Sequence, residues 1–129
     1  MFLSRAAEVA LAALPLLDGR GPLAPGSGVK ALAEKANVPA PFLAKVLQRL
    51  VERGILRSKR GRSGGFVLGR PSFEVTVADV VLALEGYEDL VAAFPPLSGP
   101  AGRVFEPVRF RLLDVMKTTT VADLAKDLS

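Results

Sequence analysis

The chain has no cysteine and no histidine. Without cysteine it can form no disulfide, thiol nucleophile or thiol redox sensor, and without either residue the common zinc sites are out of reach. Histidine-dependent acid–base catalysis goes with them. Carboxylates could still hold a metal, but the 13 acidic residues form no dense cluster along the sequence. No stretch reaches the ~18 continuous apolar residues of a membrane-spanning helix. Met1–Leu17 is apolar enough to imitate a signal peptide, with Arg5 near its start. Glu8 interrupts that run and Pro15 falls late in it, so it reads as a core helix of a cytoplasmic protein. These absences point away from an enzyme, a resident cofactor or metal, and any membrane contact.

What the chain does hold is apolar residues, half of its 129, and a localised charge. That length fits one compact domain with a small appendage for association. The formal net charge is +4, but residues 45–70 carry eight basic side chains against the single acid Glu52. That stretch is therefore +7, and the rest of the chain −3. Positive charge concentrated in this way is the footprint of a binder of nucleic acid or of another anionic surface, although a solvated basic face would look the same.

The periodicity predicts a mainly α protein with a small β-hairpin. Leu3–Leu14 reads as a first helix with Ser4 as its N-cap, ending near Pro15 or at Asp18-Gly19. Gly19–Gly28 is a Gly/Pro-rich loop. Val29–Ala36 forms a short helix, Asn37-Val38-Pro39 a tight turn, and a second helix starts around Ala40 with Pro41 tolerated in its first turn. In this helix Leu43, Val46, Leu47 and Leu50 follow the i, i+3, i+4, i+7 spacing of a buried stripe. Lys45, Arg49 and Arg53 recur every four residues on another face, and Gly54 ends the helix as a left-handed cap. Phe42 is expected to pack under the helix start rather than to stack on a base.

Two short strands follow, Ile55–Lys59 and Phe66–Leu68, around the turn Arg60-Gly61-Arg62-Ser63-Gly64-Gly65. This turn opens no helix and lacks the fingerprint of a nucleotide-binding loop. Helix, turn, helix and hairpin together make a winged helix-turn-helix, which suits duplex DNA. Lys45, Gln48 and Arg49 have the reach to read base edges, while Arg53, Lys59, Arg60 and Arg62 suit phosphates or a narrow minor groove. Beyond Pro71, Thr76 and Asp79 start a helix that ends at Gly86. Thr-Val-Ala-Asp recurs at 120–123 and reads as a second, similarly capped start. Tyr87–Gly102 reads as a loop, and Arg103–Lys117 as an amphipathic helix delayed by Pro107. Its apolar side carries Val104, Val108, Leu112, Val115 and Met116, flanked by Phe105 and Leu113. Phe94, Pro95, Pro96 and Phe105 either line a small effector pocket or pack a dimer; the second reading is preferred.

Several segments resemble the Rrf-two family of bacterial transcriptional regulators, the IscR, NsrR and CymR type. They are Leu-Ala-Glu-Lys-Ala-Asn-Val at 32–38, Phe-Leu-x-Lys-Val-Leu-x-Arg-Leu at 42–50, Gly-Ile-Leu at 54–56, Lys-Arg-Gly-x-x-Gly-Gly-Phe at 59–66 and Val-x-Asp-Val-x-x-Ala-x-Glu-Gly at 77–86. The similarity runs from Met1 to about Gly86. It implies a winged helix-turn-helix over 1–86, the position of the family's cluster loop at 87–102, and a dimerisation helix with a C-terminal helix over 103–129. It also implies a homodimer on a partly palindromic operator in double-stranded DNA, with Ala40–Arg53 in the major groove and Arg60 at the minor groove.

The departures from the pattern are as informative. Many members hold an iron–sulfur cluster with three cysteines after the Glu-Gly, and this chain has none, so that sensor does not carry over. Glu8 sits where some members place an acidic cluster ligand, but a salt-bridging or solvated role suits it better. Ala44 replaces a common acidic residue of the recognition helix, and Ala6 and Val9 replace an early basic residue and a Tyr. The expectation is a dimeric DNA-binding regulator, either repressor or activator, with a protein or a small molecule as the remaining candidate effectors. The alternative is a protein-interaction module on a winged-helix scaffold that acts through a partner protein or enzyme.

Overall fold

A computed structural model describes residues 3–18, 27–59 and 65–127. Helix α1 (Arg5–Ala13) opens where expected: the Ser4 hydroxyl accepts the Ala7 N–H at 3.1 Å. It buries Ala7, Val9, Ala10 and Ala13, then tightens into a 3-10 turn over Leu14–Leu17 that is buried throughout. Glu8 pairs with Arg5 at 3.7 Å, as the salt-bridging reading anticipated.

Helix α2 (Val29–Ala36) stops at Asn37, which takes the left-handed conformation at φ 57° and returns its N–H to the Ala33 and Glu34 carbonyls. Helix α3 (Ala40–Glu52) starts two residues after Val38. Its apolar stripe is buried as its spacing predicts, with Leu43, Val46, Leu47 and Leu50 each at most 2% exposed. Burying such side chains is worth about 1.5–3 kcal/mol each, so this stripe fixes the rotation of α3 about its axis. Helices α1 and α2 pack against it.

Gly54, at φ 79°, turns the chain into the hairpin β1 (Leu56–Lys59) and β2 (Gly65–Leu68). The register sets Leu56 opposite Leu68 and Lys59 opposite Gly65. At the hairpin root the Gly69 N–H donates to the Ile55 carbonyl at 2.8 Å. A Cβ on Gly69 would lie 2.5 Å from the Gly54 carbonyl oxygen, so the closeness of this root requires glycine. The Phe66 N–H bonds the Ser27 carbonyl at 3.1 Å, fastening β2 to the residues just before α2.

Helix α4 (Val77–Glu85) and helix α7 (Val121–Lys126) both begin with the reciprocal capping expected of Thr-x-x-Asp, Thr76 with Asp79 and Thr120 with Asp123. The fold sets these two starts side by side. Thr76 and Thr120 form an antiparallel bridge, with the Val77 N–H on the Thr119 carbonyl at 2.9 Å and the Val121 N–H on the Val75 carbonyl at 2.8 Å. Val75, Val121, Ala122 and Ala125 join the common core beneath it.

The stretch read as a loop, Tyr87–Gly102, departs from expectation. Asp89 caps a one-turn helix α5 (Leu90–Ala93), accepting the Ala92 N–H at 2.8 Å. Helix α6 (Gly99–Thr118) begins four residues before Arg103 and passes through Pro107 unbroken. Pro100 falls in the first turn, where no intrahelical donor is needed. Gly102 is required because the Leu97 carbonyl crosses directly over it. Residues that read as breakers are thus the residues this start needs. Arg109 ties the end of α5 to α6, donating to the Phe94 carbonyl and to Glu106 at 2.8 and 2.7 Å.

Candidate nucleic-acid interface

The orientation of α3, fixed by its buried stripe, decides which side chains face out. Lys45, Gln48 and Arg53 are exposed on it, and the adjoining hairpin adds Lys59. These belong to the residues expected to meet DNA, and they lie on two elements, α3 and β1, that pack against each other. Arg57, also exposed on β1, joins them, although it was not singled out. Its signal was present in the charge count, but a four-residue strand gives too little alternation to show its facing. Among the described residues Lys45, Arg53, Arg57 and Lys59 make no ion pair, so their charge is uncompensated. Arg60 and Arg62 lie outside the described residues.

Two further residues of α3 stand apart from this group. Arg49 is exposed, but its guanidinium donates to the Leu84 carbonyl near the end of α4. It thereby braces α3 against α4. Phe42 is not core: it is 36% exposed in the first turn of α3, beside the exposed Pro41. Burial of a residue at the edge of an apolar stripe depends on what packs alongside it, and nothing local in the sequence records that. Arg70, where the chain leaves the hairpin, pairs with Asp79 at 3.7 Å.

A second surface lies on α6. Val104, Val108 and Val115 are 70%, 65% and 39% exposed, and Leu112 is half-buried between them. Val108, Leu112 and Val115, together with Pro107 and Arg111, line a shallow apolar groove. Met116, expected on this stripe, instead faces the core at 3% exposure, as does Leu113. The early start of α6 and its packing on α4 set its rotation, which carries Met116 inward. Phe105 is exposed and Phe94 half-buried against the core, while Pro95 and Pro96 face out. Phe110, 64% exposed, stands on a different face of α6 with Arg103 seven residues before it and Lys117 seven after. The groove around it, about 670 Å³, is lined by Leu97, Gly102, Arg103, Glu106 and Pro107.

No helix among the described residues is long and apolar enough to cross a membrane. An iron–sulfur cluster does not fit the donors available. The chain has neither Cys nor His, and no group of three or more carboxylates among the described residues converges on one point. Glu8, the one positional candidate, already faces Arg5.

Comparison with known proteins agrees with this architecture. The Rrf2 family model, described as "Iron-dependent Transcriptional regulator", matches residues 3–127. The HTH-type transcriptional regulator Rv1287 of Mycobacterium tuberculosis is 34% identical over 134 residues, covering 97% of this chain and 81% of that protein. The solved structure of CymR, titled the global cysteine regulator of B. subtilis, superposes with a TM-score of 0.79 at 27% identity, covering 98% of both chains. IscR of T. potens superposes with a TM-score of 0.73 at 26% identity, over 98% of this chain and 88% of that one. The chain belongs to the Rrf2 family: it is a transcriptional regulator on a winged helix-turn-helix scaffold.

Proposed function

We propose that this regulator acts in the cytoplasm as a homodimer that reads a partly palindromic operator in double-stranded DNA, without an iron–sulfur cluster. The observation that carries the reading is the group of exposed, uncompensated cations Lys45, Arg53, Arg57 and Lys59 on α3 and the hairpin directly behind it. A helix docked by one face and cationic on the other fits the major groove, which is wide enough to admit it. Lys45 and Gln48, in the middle of the outward face, reach base edges. Arg53, Arg57 and Lys59 neutralise phosphates and release counterions. Arg60 and Arg62 complete the wing on the strength of the family resemblance, Arg60 at the minor groove. Arg49 sets the angle at which α3 is presented.

Pairing follows from α6. Val104, Val108 and Val115, spaced by four and seven residues, form an exposed apolar stripe that suits the seam of two paired helices. A two-fold dimer would set its two recognition helices into successive major grooves about 34–36 Å apart.

Fluorescence anisotropy with random and with selected duplexes, over a salt series, tests the first part. A log–log slope steeper than about −4 is expected from five or more phosphate contacts. Absence of any salt-sensitive DNA binding would leave the protein-interaction reading instead. That alternative has its own support in Phe110, exposed between Arg103 and Lys117 on a face of α6 away from the valine stripe.

A further inference from the structure

We propose that Phe42 reads the 5-methyl group of a thymine in the operator, a specificity contact made without a hydrogen bond. The inference rests on the DNA-reading function above and deepens it. Phe42 is the third residue of α3 and 36% exposed, at the edge of an apolar stripe whose four leucine and valine side chains are locked in the core. The helix cannot rotate to hide the ring without lifting Leu43 or Val46 out of the core. Phe42, Lys45 and Arg49 follow the i, i+3, i+7 spacing of one helix face, so the ring extends the basic stripe to the N-terminal end of α3.

Side chains on a helix lean toward its N-terminus, which carries a ring at this position over the first turn. In helix-turn-helix proteins it is the N-terminal residues of the recognition helix that meet base edges. A phenylalanine there can neither donate nor accept a hydrogen bond. Stacking requires a base free of its neighbours, and an intact duplex offers none. The major-groove edge of duplex DNA presents one apolar group, the thymine methyl. The adjacent Pro41, also exposed and without an N–H, keeps that corner of the helix apolar.

The test uses the full chain. Bound duplexes are selected from a random library, and each thymine of the selected site is then replaced singly by deoxyuridine, which removes only the methyl. Wild-type affinity is expected to fall about 3–5-fold at one position of each half-site, the value of one buried methyl group. Phe42→Ala is expected to bind thymine and uracil versions equally well, and Phe42→Leu to keep part of the preference; thermal melting confirms that both fold. Indifference of the wild type to uracil at every position overturns the proposal, as does a uracil penalty that survives in both variants. Failure to enrich any sequence overturns the DNA reading itself, a distinct outcome.

Discussion

Arg49 and Lys45 sit one turn apart on α3 and would be interchangeable by charge alone, yet their surroundings give them different work. Arg49 satisfies the Leu84 carbonyl, while Lys45 has no ion-pair partner among the described residues. Arg49→Ala is therefore expected to lower stability by about 1–3 kcal/mol, the range for losing a charged hydrogen bond to a half-buried acceptor. Urea denaturation checks it. Lys45→Ala should leave the unfolding free energy within about 0.5 kcal/mol of wild type. It should instead reduce the salt slope of DNA binding by about one unit, read by anisotropy. Equal stability losses in the two variants would show that Arg49 braces nothing. Gly69 makes the same point about backbone. Its missing Cβ is what lets β2 return against Gly54, so Gly69→Ala must push the hairpin off its root. A loss of about 1–3 kcal/mol, with weaker DNA binding, is expected from that overpacking.

At the level of elements, what the sequence disclosed was whatever is decided locally. The bounds of α2 and α3, the Ser4 cap, the left-handed Gly54 and both Thr-x-x-Asp starts depend on neighbours three or four residues away, and all appear in the structure. What stayed hidden depended on how the backbone folds over itself or on packing between elements. Ser98-Gly99-Pro100-Ala101-Gly102 has the composition of a loop, and only the passage of Leu97 over Gly102 makes it a helix start. Phe42 and Met116 were misplaced for the same reason, each lying at the edge of an apolar stripe where tertiary packing decides.

The capping boxes also make a prediction at this scale. The Thr120 N–H donates to Asp123 at 2.9 Å and holds its carboxyl below the ordinary value of 3.8. Its stabilising effect is present above that value and is lost as pH falls through the lowered one. Asp123→Asn should lower the melting temperature near neutral pH and flatten the acid side of the stability curve below about pH 3.8. Thr120→Ala should cost about 0.5–2 kcal/mol at neutral pH.

For the molecule as a whole the decisive surface is the valine stripe of α6. Val108 is 65% exposed, so Val108→Glu should leave the single chain folded, with its melting curve close to wild type when diluted. Buried in a two-helix seam, the same carboxylates would be stripped of water beside Arg111, which already pairs with Asp114. Sedimentation velocity is expected to show monomer for Val108→Glu and dimer for the wild type. Operator affinity should fall at least tenfold in the variant, because two half-sites are no longer bound as one unit. A dimeric Val108→Glu would move the pairing surface elsewhere, with the face around Phe110 next in line.

The bridge between Thr76 and Thr120 also bears on how such a chain can change over time. Residues 77–119 form a bight whose neck is drawn shut by two backbone hydrogen bonds, and the neck sets where the end of α6 returns. Where Leu90 and Phe94 keep their places against the core, the rest of the span between Gly86 and Ser98 can change length at a closure cost of only about 0.6 kcal/mol per doubling. A protein tied in this way can exchange much of that span while α1 to α4 and the hairpin keep their places.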